Sequence, residues 1–136
     1  MFCMRLVIGG KAQGKLDYVK AEYSIPDEKI CRGSECSDME LADAECIYGL
    51  EDFIWNKLEK YGDEDFDAGS GFMNLIPELR DDAIVICAET GLGVVPVERK
   101  ERIYRDAVGR ICCGLAKRAE SVERIYCGIA QKIKQQ

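Results

Sequence analysis

The sequence predicts an α/β domain on a mostly parallel central sheet, and three observations carry that reading. The run Ala83-Ile84-Val85-Ile86-Cys87-Ala88 is apolar throughout, as befits a strand covered on both faces. Met4-Arg5-Leu6-Val7-Ile8 is rich in branched residues and stops at Gly9-Gly10, where a buried strand meets a loop. Helical patterns alternate with such runs, which implies parallel strands joined by right-handed crossovers. The 136 residues suffice for one domain with its own core, and no internal repeat divides them.

Taken in order, residues 4–8 form the first strand, and Lys15 to Tyr23 form a helix with Leu16, Val19 and Tyr23 on one face. Ile25-Pro26 ends it, and Glu28 to Cys31 read as a second short strand. From Ser37 the pattern turns helical, with Ser37 or Asp38 as N-cap. Leu50, Phe53, Ile54, Leu58 and Tyr61 then recur at spacings of three and four, a core stripe with Trp55 beside it. An acidic, glycine-containing connection over 61–71 leads to Phe72–Arg80 and then to the central strand. After Pro96 a long helix runs to about Glu120, with Ile103 or Tyr104, Val108, Ile111, Leu115 and Ala119 along one side. Val122–Cys127 is a further strand, and Ala130–Lys134 an edge strand carrying lysines.

Composition narrows the function classes. With 47 % hydrophobic and 32 % charged residues, disordered, collagenous and transmembrane classes are disfavoured. The N-terminal apolar run is interrupted by Arg5 and is too short for a signal peptide or a membrane span, so a cytoplasmic protein without membrane partners is expected. The net charge is −6, yet residues 1–95 carry 20 acids and 9 bases while residues 96–136 carry 5 acids and 10 bases. No overall basic excess exists to neutralise a phosphate backbone, which argues against nucleic acid. The basic C-terminal third either faces a small polyanion such as a nucleotide or is a solvated helix face. The eight cysteines are expected as reduced thiols, with Cys87, Cys112, Cys113 and Cys127 as small hydrophobes inside apolar runs. Cys31 and Cys36 lack the spacing and the histidine partners of a zinc site. With no histidine at all, the chain offers no Ser-His or Cys-His nucleophile, no imidazole base and no phosphohistidine.

Gly9-Gly10-Lys11-Ala12-Gln13-Gly14-Lys15-Leu16 satisfies G-x-x-x-x-G-K between a buried strand and a helix, the context of a phosphate-binding loop. The glycines let backbone N–H groups turn inward toward phosphate oxygens. The helix N-terminus adds favourable potential, and Lys15 reaches the β- and γ-phosphates. The hydroxyl that ligates Mg²⁺ in such loops is replaced by Leu16, leaving the Asp17 carboxylate as the candidate metal ligand. The plainer reading is a glycine turn that only links strand to helix.

Glu89-Thr90-Gly91-Leu92-Gly93-Val94-Val95-Pro96 directly follows the central strand, and ligands of parallel sheets collect beyond the carboxyl ends of strands. Glu89 is therefore the leading acidic candidate, either orienting a metal-bound water or accepting a proton from a substrate hydroxyl. The alternating acids Asp63-Glu64-Asp65-Phe66-Asp67 lack the glycine and the final glutamate of a calcium loop and read as a solvated linker.

These segments, with Arg105-Asp106, Gly109-Arg110, Leu115-Ala116 and Cys127-Gly128 ahead of Lys132-Ile133-Lys134, resemble the adenosylcobinamide kinase / adenosylcobinamide-phosphate guanylyltransferase family of cobalamin biosynthesis. Residues 4–20 and 83–134 carry the likeness. It implies a P-loop-type three-layer sandwich over residues 1–136, purine nucleotide binding with Mg²⁺ and ATP or GTP, and phosphorylation of the aminopropanol hydroxyl of cobinamide followed by GMP transfer. It further implies a corrinoid substrate and a trimer. The departures fall on the chemistry. The family's guanylylated histidine has no counterpart, which excludes GMP transfer by that route; its Asn-Glu before the glycines is Ala88-Glu89, and its Asn-Gln in the long helix is Cys112-Cys113. The middle is shortened, and Glu45 is the candidate for its strand-end acid.

Three functions follow. The first is a small kinase in which residues 9–15 hold phosphates and Glu89 assists, chemistry that rests on positioning and charge neutralisation. The second is a nucleotide-binding relative without turnover, acting as a sensor or as a subunit of a corrinoid-handling assembly. The third is a structural module with an empty loop.

Overall fold

The computed structural model describes residues 4–61, 75–89 and 98–135. Six strands form one sheet: β1 (Arg5–Gly9), β2 (Ile30–Arg32), β3 (Cys46–Tyr48), β4 (Ile84–Ala88), β5 (Ser121–Tyr126) and β6 (Ile129–Gln135), in the order β2-β3-β4-β1-β5-β6. The first five are parallel and β6 returns antiparallel to β5. The helices are α1 (Lys15–Glu22), α2 (Asp38–Asp43), α3 (Leu50–Tyr61), α4 (Leu75–Glu78) and α5 (Arg99–Arg118). They cover both faces of the sheet, as the sandwich reading expects.

The two helix layers follow from the strands' alternation. Leu6, Val85 and Cys87 project into the larger core with Leu50, Phe53, Ile54 and Leu58 of α3 and Val108, Ile111 and Leu115 of α5. Val7, Ile84, Ile86 and Ile125 face the other way, toward Val19 of α1 and the half-buried Leu16, Tyr18 and Tyr23. Every residue of β4 is buried, which is why it reads as an uninterrupted apolar run.

Two stretches depart from the sequence reading: Asp27–Lys29 forms a 3₁₀ turn, so that the second strand begins only at Ile30, and the region after Ser37 is reorganised. The helical pattern from Ser37 is broken in two: Ser37 caps α2 in a reciprocal capping box with Glu40, the helix stops at Asp43, and Cys46–Tyr48 forms β3 between β2 and β4. Three residues show no period of their own, so the sheet pairing decides the conformation here rather than local pattern. Cysteine packing is also corrected in part. Cys87 is buried and Cys112 half-buried, but Cys113 lies on the exposed face of α5, and Cys127 is exposed in the β5–β6 turn with φ 52°. All described cysteines are free thiols. No described helix is long and apolar enough to cross a membrane.

Candidate functional site

The loop between β1 and α1 is held by β5 and by the β5–β6 turn. Gly9 leaves β1 with φ 155°, and a Cβ there would lie 2.5 Å from the Ile125 carbonyl oxygen, so only glycine lets β5 approach this closely. Gln13 clasps the β5–β6 turn: its backbone carbonyl accepts the Gly128 N–H at 2.8 Å, and its side-chain oxygen accepts the Cys127 N–H at 2.8 Å. Ala12 (φ 59°) and Gly14 (φ 85°) take left-handed conformations, and Gly14 is the N-cap of α1 without a side-chain cap. The first N–H groups of α1 thus remain without intrahelical acceptors, as they must if they are to meet an anion.

Lys15 opens α1 and folds back over the loop. It is only 8 % exposed, and its Nζ donates to the Gly10 carbonyl at 2.6 Å. Burial holds its ammonium below its ordinary pKa, while Glu51, Cys87 and Glu89 oppose that shift. Glu89 is therefore brought to the loop, as expected. Its N–H donates to the Gly9 carbonyl at 2.8 Å, and its carboxylate accepts from Arg124 Nη2 at 3.0 Å. Residues 90–97, the remainder of the motif after Glu89, and the acidic run 63–67 lie outside the described residues.

Two site residues escape sequence reasoning. Glu51, in the first turn of α3, accepts the Ala88 N–H at 3.0 Å and adds a second carboxylate to the environment of Lys15. A signal for it exists: Cys46-Ile47-Tyr48-Gly49 followed by a helix repeats, in short form, the strand–glycine–helix order of the first loop. Arg124 is the other, hidden inside a strand pattern. Glu45, by contrast, lies just before β3 and not at its carboxyl end. There it pairs with Lys29 at 3.0 Å and Arg80 at 3.7 Å, away from the loop. The α5 cysteines divide: Cys112 lies against Cys87, whose thiol is pushed up by hydrogen bonding to Cys112 and by burial, and Cys113 is exposed.

A pocket of about 360 Å³ opens beside the loop, lined by Ala12 to Asp17 and Tyr48. A larger groove of about 1070 Å³ runs along the β2 edge, where acids such as Glu28, Glu35, Glu40, Asp43 and Glu45 outnumber bases. An anion is better served at the loop, where donors and a cation converge. For a divalent metal, Leu16 has no side-chain oxygen to offer, and it packs into the apolar layer under α1. Glu51 beside Lys15, and the exposed Asp17 lining the pocket, supply carboxylate oxygens of the kind Mg²⁺ takes alongside phosphate oxygens and water. Among the described residues, no group of three or more His, Cys, Asp or Glu forms a protein-only metal cage. The donor set fits a metal that arrives with a phosphate ligand.

Comparison with known proteins adds one finding. The family model described as cobinamide kinase / cobinamide phosphate guanyltransferase matches residues 45–133, about two thirds of the chain, from β3 to β6; the glycine loop precedes the matched span. No curated protein matches the chain.

Proposed function

Because the chain belongs to the cobinamide kinase / cobinamide phosphate guanyltransferase family of cobalamin biosynthesis, we propose that it binds a purine nucleoside triphosphate on residues 9–16 and transfers the γ-phosphoryl group to the aminopropanol hydroxyl of cobinamide. The observation that carries this reading is the buried Lys15, folded onto the Gly10 carbonyl at the uncapped start of α1. A buried ammonium is unfavourable in an empty loop and becomes favourable when an anion enters beside it.

In this mechanism the amides of residues 9–16 and Lys15 hold the phosphates and counter the charge that spreads over the transferring group. Glu89, fixed to the loop through its N–H, takes the hydroxyl proton as the new P–O bond forms and the bond to the β-phosphate oxygen breaks. A carboxylate beside the loop, Glu51 or Asp17, would hold a magnesium ion, which would supply charge neutralisation for the phosphates. GMP transfer through a guanylylated histidine has no place in a chain without histidine.

The test is incubation with cobinamide, Mg²⁺ and ATP or GTP, with mass spectrometry of the corrinoid. Phosphorylated product supports the kinase. One observation favours a second reading: Leu16 is committed to apolar packing where a hydroxyl ligand is expected. Nucleotide-dependent thermal stabilisation without product would assign the chain to binding without turnover.

A further inference from the structure

Arg124 stands level with Ile8, the last residue before the loop's first glycine, and on the same face of the sheet as Cys87. A guanidinium carries five N–H groups in a planar fork suited to two oxygens at once. Here its Nη2 meets one oxygen of Glu89, while its Nε is buried and has no partner among the described residues. An unpaired buried donor is unfavourable, and a fork engaged at one prong is an incomplete carboxylate contact. The side chain is nonetheless 38 % exposed, so a solute can reach it, whereas Glu89 is 19 % exposed. Glu89 in turn is tied by its own N–H to the Gly9 carbonyl, which fixes the carboxylate holding this arginine to the strand tip from which the loop springs.

Resting on the triphosphate reading of the loop, we propose that Arg124 is a second phosphate-binding cation, held by Glu89 when the loop is empty and taken over by a phosphate oxygen when nucleotide binds. Lys15 then approaches the phosphates from the start of α1, and Arg124 from β5, level with the end of β1. The exchange gives the orphaned Nε an acceptor and frees the Glu89 carboxylate for the acceptor hydroxyl. Glu89 and the nucleotide compete for one guanidinium, and that competition separates this role from a structural brace.

The experiment is a fluorescence titration of the full chain with mant-labelled ATP and GTP, in magnesium and in EDTA, on wild type, Arg124→Gln, Arg124→Lys and Glu89→Gln. The effects are read in whichever condition the wild-type chain saturates. Arg124→Gln weakens binding about tenfold, Arg124→Lys recovers part of the loss, and Glu89→Gln tightens binding about threefold because it removes the competitor. Unchanged affinity in Arg124→Gln overturns the inference and leaves the loop's reading intact. Affinity of Glu89→Gln equal to or below wild type overturns the competition, since loss of a shared brace would weaken both variants alike. Failure of the wild-type chain to bind either labelled nucleotide removes the premise and the inference together.

Discussion

Glu123 and Arg124 are neighbours on β5, and alternation sends them to opposite faces of the sheet. Glu123 is 1 % exposed beneath α1, and its two carboxylate oxygens accept hydrogen bonds from Tyr18 and Tyr23. Arg5 extends this network, lying 4.8 Å over the Tyr23 ring and donating to Ser121 at 3.2 Å. Among the described residues Arg124, on the face toward α3 and α5, shows one partner and a buried Nε without one. A buried charge whose acceptors are filled by the chain itself is a structural element. A charge left half-satisfied beside the end of β1 has capacity for a ligand. The contrast separates a closed polar network from an open one within two residues of sequence.

The largest effect is expected on the open side. Lys15→Ala should abolish saturable nucleotide binding and any turnover. It should also raise thermal stability by on the order of 1 kcal/mol, because a buried charge is removed; chemical denaturation of the variant checks the sign. Gly9→Ala places a methyl against the Ile125 carbonyl at a positive φ and should cost about 2–4 kcal/mol by the same measurement.

On the closed side, Tyr18→Phe or Tyr23→Phe removes one donor from Glu123 and should cost about 1–3 kcal/mol without changing nucleotide affinity in the folded protein. Burial, then Glu123, raises both phenols above their ordinary value of 10.0. The unfolded chain therefore loses these protons first as pH rises. Their stabilisation is complete below pH 10 and is lost as pH climbs through the folded values, a fall that the double Phe variant should lack. The smallest effect belongs to the surface. Arg80 hydrogen-bonds Asp82 at 2.9 Å and holds its carboxyl below the ordinary 3.8, so that contribution is present above this value and fades as pH falls through the lowered one. Asp82→Asn should cost about 0.5 kcal/mol at neutral pH and nothing in strong acid.

Sequence pattern reached the parts that local chemistry dictates. Gly9 to Lys15 announce a turn with special backbone angles before a helix, and the uninterrupted Ala83–Ala88 run announces a strand with no solvent face. The stripe Val108, Ile111, Leu115 lies against the sheet as its spacing requires. What stayed hidden depends on pairing. β3 is three residues long and is a strand only because β2 and β4 flank it. Glu51 reaches the site only once β3 ends beside β4. Val122-Glu123-Arg124-Ile125 reads as strand, but two adjacent charges inside it do not disclose which one the core closes over. That is decided by Tyr18 and Tyr23, 105 and 100 residues away in sequence.

The loop's role as a triphosphate cradle is tested most directly by titration calorimetry of ATP and of GTP, with Mg²⁺, into the wild-type chain and the Lys15→Ala variant. Saturable heat with at least one of the two nucleotides, lost in the variant, is the expected result. Absence of saturation with both up to millimolar concentration, or equal binding by Lys15→Ala, would contradict it.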